Sequence, residues 1–172
     1  MNANVKTYKK TYSMLVDNEP GVLNRVAGLF SARGYNILSL TVGETNDTTV
    51  SRMTIVAEGT PTVLEQIAKQ VAKLVPVLEV LPISDDDLFV EELVLIKVKA
   101  SNDVRSYVES KRAGGESIRL VHDADDVMIL RFVSNRENED LILNELAKFT
   151  ILEICRTGEA AMSKTTIFKF ND

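Results

Sequence analysis

Between residues 9 and 83 the hydrophobic period of the chain switches from two to 3.6 and back, twice, and that alternation leaves few folds open. Residues 9–16 read as a strand. Val22, Leu23, Val26, Ala27, Leu29 and Phe30 then recur at helical spacing across 20–33. In the strand expected at 36–44, Leu38, Leu40 and Val42 alternate with Ile37, Ser39 and Thr41, so one face is expected to pack on the helices. After the turn Thr45-Asn46-Asp47-Thr48, a third strand at 51–57 aligns Met53, Ile55 and Ala57. Pro61 opens a second helix with Val63, Leu64, Ile67, Ala68, Val71 and Leu74 on its buried side, and 77–83 closes the unit as a strand. The order is β-α-β-β-α-β, a split βαβ or ferredoxin-like arrangement.

The architecture repeats after the polar connector Ser84-Asp85-Asp86-Asp87. A strand is expected at 93–99 and a short helix after Ser101-Asn102-Asp103, broken by Gly114-Gly115. A hairpin of 118–122 and 127–133 crosses Asp123–Asp126. Ser134-Asn135-Arg136-Glu137 has the spacing of a capping box before the helix at 141–149, and 151–156 supplies the last strand. The expectation is an α+β chain of tandem ferredoxin-like βαββαβ domains over 9–84 and 90–158. Residues 159–172 are left as a tail whose Ile167, Phe168 and Phe170 either dock on a neighbour or fray.

The first strand-to-helix corner carries the most chemistry. Asp17, Asn18 and Glu19 are cap-forming or acidic residues ahead of Pro20 and Gly21. A helix N-terminus there would present unpaired N–H groups and positive potential to a carboxylate or phosphate. Gly21 leaves room for close approach, and Asn18 adds a donor and an acceptor. The second half has no Glu-Pro-Gly at its equivalent corner, which places any small-anion site in the first half.

Other chemistries lack their residues. His122 is the single histidine and Cys155 the single cysteine, so paired-histidine catalysis, a C-x-x-C metal loop and an internal disulfide are all excluded. No catalytic or metal-binding residue is assigned. The Asp85–Asp87 and Asp123–Asp126 runs lack the calcium-loop pattern and read as solvated turns. Gly21, Gly28 and Gly34 do not form a dinucleotide fingerprint. A formal charge of −5 argues against nucleic-acid or anionic-membrane binding. No apolar run reaches a membrane span, the polar start Met1-Asn2-Ala3-Asn4 is unlike a secretory signal, and a cytoplasmic setting is expected.

Asp17-Asn18-Glu19-Pro20-Gly21, the apolar helix ending at Arg33-Gly34-Tyr35-Asn36-Ile37, Ser39–Val42 and Ser51–Ile55 together resemble the first ACT domain of acetolactate synthase (acetohydroxyacid synthase) small subunits. The helix from Leu64 to Val75 continues the likeness, and Cys155-Arg156-Thr157-Gly158 stands where the family has Ala-Arg-Thr-Gly. The likeness covers 11–83 and continues, thinner but collinear, over 91–163. It implies an ACT-type N-terminal domain and a regulatory chain with no active site of its own. Such a chain would activate a thiamine-diphosphate-dependent catalytic (large) subunit and confer feedback inhibition by a branched-chain amino acid, most often valine. Thiamine diphosphate, magnesium and FAD would sit on the catalytic chain, with no cofactor here. The resemblance also implies a homodimer and an effector site of Asn18, Gly21 and Val22, closed by Asn36 and Ile37 from the partner chain. The alternative is a stand-alone amino-acid-sensing ACT protein.

Overall fold

The computed structural model describes residues 6–168. The chain forms two units, one built from residues up to Phe89 together with those from Glu159 onward, the other from Val90–Gly158. In the first unit the elements are β1 (Tyr8–Asp17), α1 (Val22–Ala32), β2 (Asn36–Glu44), β3 (Val50–Gly59), α2 (Pro61–Val71) and β4 (Val77–Ile83). The sheet order is β2-β3-β1-β4, with every neighbouring pair antiparallel. This is the expected ferredoxin-like order, with β1 and β3 central and β2 and β4 at the edges.

Both helices lie on one face of that sheet. Tyr12, Met14, Met53, Ile55 and Ala57 meet Val26, Phe30, Ile67 and Val71 in one buried cluster. Each fully buried side chain of this size stabilises the unit by about 1.5–3 kcal/mol relative to exposure. The buried Tyr12 hydroxyl donates to the Leu64 carbonyl at 2.7 Å, so its one polar atom is satisfied, and burial pushes its pKa up. The regular alternation expected along β2 is interrupted. A register shift lies between Ile37 and Ser39, so Ile37 joins Leu40 against the core while Leu38 is exposed. An extra residue in one strand changes the alternation phase, which a period-two reading cannot see.

The second unit repeats the order with β5 (Leu88–Lys99), α3 (Asn102–Ala113), β6 (Arg119–Ala124), β7 (Val127–Ser134), α4 (Arg136–Leu146) and β8 (Ile151–Arg156), arranged β6-β7-β5-β8. Val94, Ile96, Val98, Met128, Leu130 and Phe132 form its helix-facing core. Ser101 caps α3 by accepting from the Val104 N–H at 3.2 Å. The cap of α4 is Asn135, which accepts from the Asn138 N–H at 3.0 Å, rather than Ser134, which is buried at the end of β7. The α4 helix therefore begins at Arg136, earlier than its apolar residues indicate.

The segment after Gly158 is not a free tail. It returns to the rear face of the first sheet as β9 (Ala160–Ser163) and the residues that follow it. The Glu159 N–H donates to Ser39 Oγ at 2.8 Å and the Ala161 N–H to Thr54 Oγ1 at 3.4 Å. Asp87 anchors the return: its carboxylate accepts from the Thr165 N–H at 3.0 Å, the Thr165 hydroxyl at 2.9 Å and the Ser163 hydroxyl. Those hydrogen bonds, Ser163 foremost, hold its carboxyl below the usual range. Phe168 is 4% exposed in a cluster with Leu15, Val50 and Leu81, and the Arg52 guanidinium lies 4.8 Å from its ring centroid. Ile167 is exposed, and Phe170 lies outside the described residues. Phe168→Ala should therefore destabilise the first unit by about 3 kcal/mol, the usual loss for emptying a buried phenylalanine site. Urea unfolding monitored by near-UV signals of the first unit tests this, and an unchanged midpoint would contradict the anchoring role.

Candidate functional site

Glu19, Pro20, Gly21 and Val22 form a tight turn between β1 and α1. The Val22 N–H donates back to the Glu19 carbonyl at 3.3 Å, and Gly21 adopts φ +89° and ψ −6°. Proline second and a positive-φ glycine third are the requirements of a type II turn. An added Cβ at Gly21 would meet nothing within 4 Å, so the glycine is required by backbone conformation and not by crowding.

That turn leaves α1 with an unusual N-terminus. Asp17, Asn18 and Glu19 do not cap it; the cap position is Gly21, no side chain accepts from the first turn, and no acid lies within that turn. The other α-helices all have a side-chain cap, from Thr60, Ser101 and Asn135. Among the described α-helices, α1 alone lacks a side-chain acceptor at its N-terminus, where the Val22 N–H is held by the Glu19 carbonyl alone. The Gly21 N–H takes no part in the turn's own bond.

Asn18 is committed elsewhere. Its Nδ2 donates to Glu44 Oε1 at 3.0 Å and to the Thr48 carbonyl at 2.8 Å, and its backbone N–H to the Thr49 carbonyl at 2.7 Å. Both amide donors are used, so the Oδ1 acceptor remains for a ligand. Asp47 stiffens the facing hairpin, accepting from the Thr49 N–H and hydroxyl at 2.9 and 2.7 Å. Those bonds hold its carboxyl below the usual range. Glu44 is a residue that sequence reasoning missed: the contact with Asn18 spans 26 positions, and no local pattern announces it.

Asn36 and Ile37 lie at the other end of the sheet. Asn36 pairs with Glu58, which faces Lys9, whereas Asp17 pairs with Val50. Eight steps along β1 separate the two positions, about 26 Å at ~3.3 Å per residue. Within one chain the structure brings Asn18, Gly21 and Val22 together and leaves Asn36 and Ile37 apart from them.

A second polar cluster sits in the other unit. Glu139 on α4 is nearly buried and accepts from Arg156 Nε at 2.9 Å. Glu92 on β5 accepts from the Gly158 N–H at 2.8 Å. Burial first, then the Glu92 charge, push the Glu139 carboxyl up to about 7, with Arg156 opposing and Asp140 adding a little. Among the described residues no group of three His, Cys, Asp or Glu could hold a metal ion, and His122 and Cys155 stand exposed and apart on β6 and β8. No helix in these residues is long and apolar enough to cross a membrane.

A tandem pair of βαββαβ units, the first with a helix N-terminus that no side chain caps, is the architecture of an ACT-type protein. The family described as AHAS small subunit-like ACT domain matches residues 12–79, and that described as small subunit of acetolactate synthase matches 91–165. A probable acetolactate synthase small subunit from Methanothermobacter thermautotrophicus is 39% identical over 157 residues, covering 88% of this chain and 90% of its own. The acetolactate synthase small subunit of Buchnera aphidicola is 37% identical, covering 88% and 96%. The crystal structure of the Thermotoga maritima small subunit superposes with a TM-score of 0.81 at 34% identity, covering 93% of this chain and 99% of that one. The chain belongs to the acetolactate synthase small subunit family, the regulatory and non-catalytic component of a transferase.

The Glu139 cluster generates a pH prediction. Its folded-state carboxyl is raised from the ordinary 4.5 to about 7, so the native state binds more protons than the unfolded state between those values. Stability attributable to this group is present below pH ~4.5, falls as pH rises through that window and levels off above pH ~7. Glu139→Gln should show a flatter decline of the second unit's urea midpoint between pH 5 and 7.5 than the parent. Parallel curves for the two proteins would refute the assignment.

Proposed function

We propose that this chain activates the catalytic subunit of acetolactate synthase and carries its feedback inhibition, binding a branched-chain amino acid, valine foremost, at a site completed across a homodimer. The enzyme joins two pyruvates, or pyruvate and 2-oxobutyrate, in the cytoplasm on the route to valine, leucine and isoleucine. Thiamine diphosphate, magnesium and FAD belong to the catalytic chain. The observation that carries the effector reading is the uncapped, acid-free N-terminus of α1 beside Asn18 and Glu44. An α-amino acid is a carboxylate and an ammonium on one carbon. Backbone N–H groups at Gly21, Val22 and the first turn suit the carboxylate; the Val22 group is only lightly held, at 3.3 Å by Glu19. Asn18 Oδ1 and the Glu44 carboxylate suit the ammonium.

The sheet edges support the dimer. The β4 edge contains Pro82 and Glu79, which discourage further pairing. The β2 edge, Asn-Ile-Leu-Ser-Leu-Thr-Val-Gly-Glu, has no Lys, Arg or Pro, and Leu38 and Val42 are 42% and 43% exposed on it. Antiparallel pairing of two β2 strands about Leu40 sets Asn36 of one chain opposite Glu44 of the other. That register carries the partner's Asn36 and Ile37 to the corner formed by Asn18, Gly21 and Val22. Residues about 26 Å apart in one chain then share one pocket, with Ile37 as an apolar wall for a branched side chain.

Two measurements test the reading. Light scattering should give a mass about twice the 19.1 kDa chain at micromolar concentration, and Val42→Lys on the β2 edge should shift it toward monomer. A strictly monomeric parent would sink the shared site. Gly21→Asp places a carboxylate where the effector carboxylate binds, adding bulk and like-charge repulsion. Valine affinity by calorimetry should fall at least tenfold, inhibition should be lost, and activation of the catalytic subunit should persist. Unchanged affinity would place the site elsewhere.

A further inference from the structure

We infer that the helix-free face of the second sheet, centred on Leu95, Ile129 and Cys155, is the surface that docks on an acidic-rimmed, apolar patch of the catalytic subunit. This rests on the regulatory-subunit reading above and adds the surface that the reading leaves open.

The two sheets have the same strand order but treat their rear faces differently. In the first unit Thr11, Ser13, Leu15, Thr54 and Val56 point away from the helices and are all buried, and β9 with Phe168 lies against that face. In the second unit Leu93, Leu95 and Lys97 on β5, and Ile129 and Arg131 on β7, point away from α3 and α4, and all remain half-buried or exposed. Leu95, Lys97, Ile129, Glu153 and Cys155 line a shallow hollow of about 160 Å³ there. A hollow of that size is below the usual volume of a small-ligand site and suits the anchoring side chain of a protein partner.

Charge selects the partner. Register and alternation place Lys97, Lys99, Arg119 and Arg131 on this face, against two carboxylates, Glu153, which is paired with Lys97, and the exposed Glu91 at the start of β5. The chain as a whole carries −5, so the face is a basic patch on an acidic protein. Arg119 and Arg131 are direct cross-strand neighbours, an arrangement of like charges that disfavours the isolated sheet. Arg119 donates to the Glu116 and Ile118 carbonyls, whereas no carboxylate pairs with Arg131 among the described residues. A second copy stacked on this face would oppose these cations with their own kind. Carboxylates around an apolar anchor would satisfy both the cations and the hollow.

Cys155 is the only thiol in the chain, is exposed, and lies inside the hollow, so it reports occupancy of the face. The full chain is treated with a maleimide alone, at raised concentration, and with the cognate catalytic subunit, and modification of the Cys155 peptide is followed by mass spectrometry. The inference predicts at least tenfold slower labelling in the complex, and no slowing by valine or by concentration. Arg131→Glu, a surface change, should weaken association at least tenfold and flatten its salt dependence, with dimer mass and valine affinity unchanged. A complex formed with Cys155 fully reactive, or with Arg131→Glu binding as the parent, would overturn the docking surface alone. Slowing by concentration alone would assign the face to self-association and overturn it too. Absence of any complex with the parent chain would overturn the regulatory-subunit reading and the docking surface with it.

Discussion

Residues 11–16 of β1 are buried without interruption, so the central strand of the first unit has no solvent side. Side chains alternate along a strand, and a strand buried on both faces must therefore be covered twice. Tyr12, Met14 and Val16 are covered by α1 and α2. Thr11, Ser13 and Leu15 point to the rear face, where the segment returning after Gly158 lies. The first unit is consequently assembled from both ends of the described chain. Its polar rear-face groups are tolerable because they are bonded: Thr54 accepts from the Ala161 N–H, and Arg52 donates to Ser13 at 3.5 Å while lying over the Phe168 ring. The Asp87 carboxylate holds the far end of the return, so the connector between the units also serves the first core.

The rigid sheet then gives the corner its chemistry. Because β1 is fixed on both sides, its end at Asp17 is fixed too, and the Asp17 N–H donates to the Pro76 carbonyl at 2.9 Å. The next four residues must reverse direction into α1, and a proline followed by a positive-φ glycine does so without any side chain reaching the helix start. An uncapped helix is less stable by about 1 kcal/mol than a capped one. Here the missing cap coincides with Asn18 being held by the Glu44 carboxylate and the Thr48 carbonyl, so its side chain does not reach the helix start. Functional sites commonly break a local rule that the rest of a structure obeys.

The same strand order presents two different surfaces in one chain. The first unit covers its rear sheet face with its own chain and leaves an apolar edge strand; the second has a helix-free face that is basic with an apolar centre. An edge strand offers backbone pairing to a second copy of itself, whereas a sheet face offers area and side-chain charge to a different partner. Topology alone does not distinguish these uses, and the difference rests on which residues lie at the edge and which on the face.

The order β-α-β-β-α-β, its repetition, the buried residues of β3 and the bounds of β2 and β4 were all legible in the sequence, whereas the positive φ that requires glycine at position 21 is seen in the fold. They follow from interactions within a few residues, where period and turn chemistry are direct consequences of backbone geometry. The bulge at Leu38, the Asn135 cap, the Asn18–Glu44 bond and the separation of Asn36 and Ile37 from Gly21 were decided by tertiary structure. So was the fate of the last segment, which was open to docking or fraying: Thr11, Ser13 and Thr54 satisfy water and a returning backbone N–H equally well, so their pattern does not decide between the two. A local pattern records what a residue is able to bury, and only the folded chain determines what arrives to bury it.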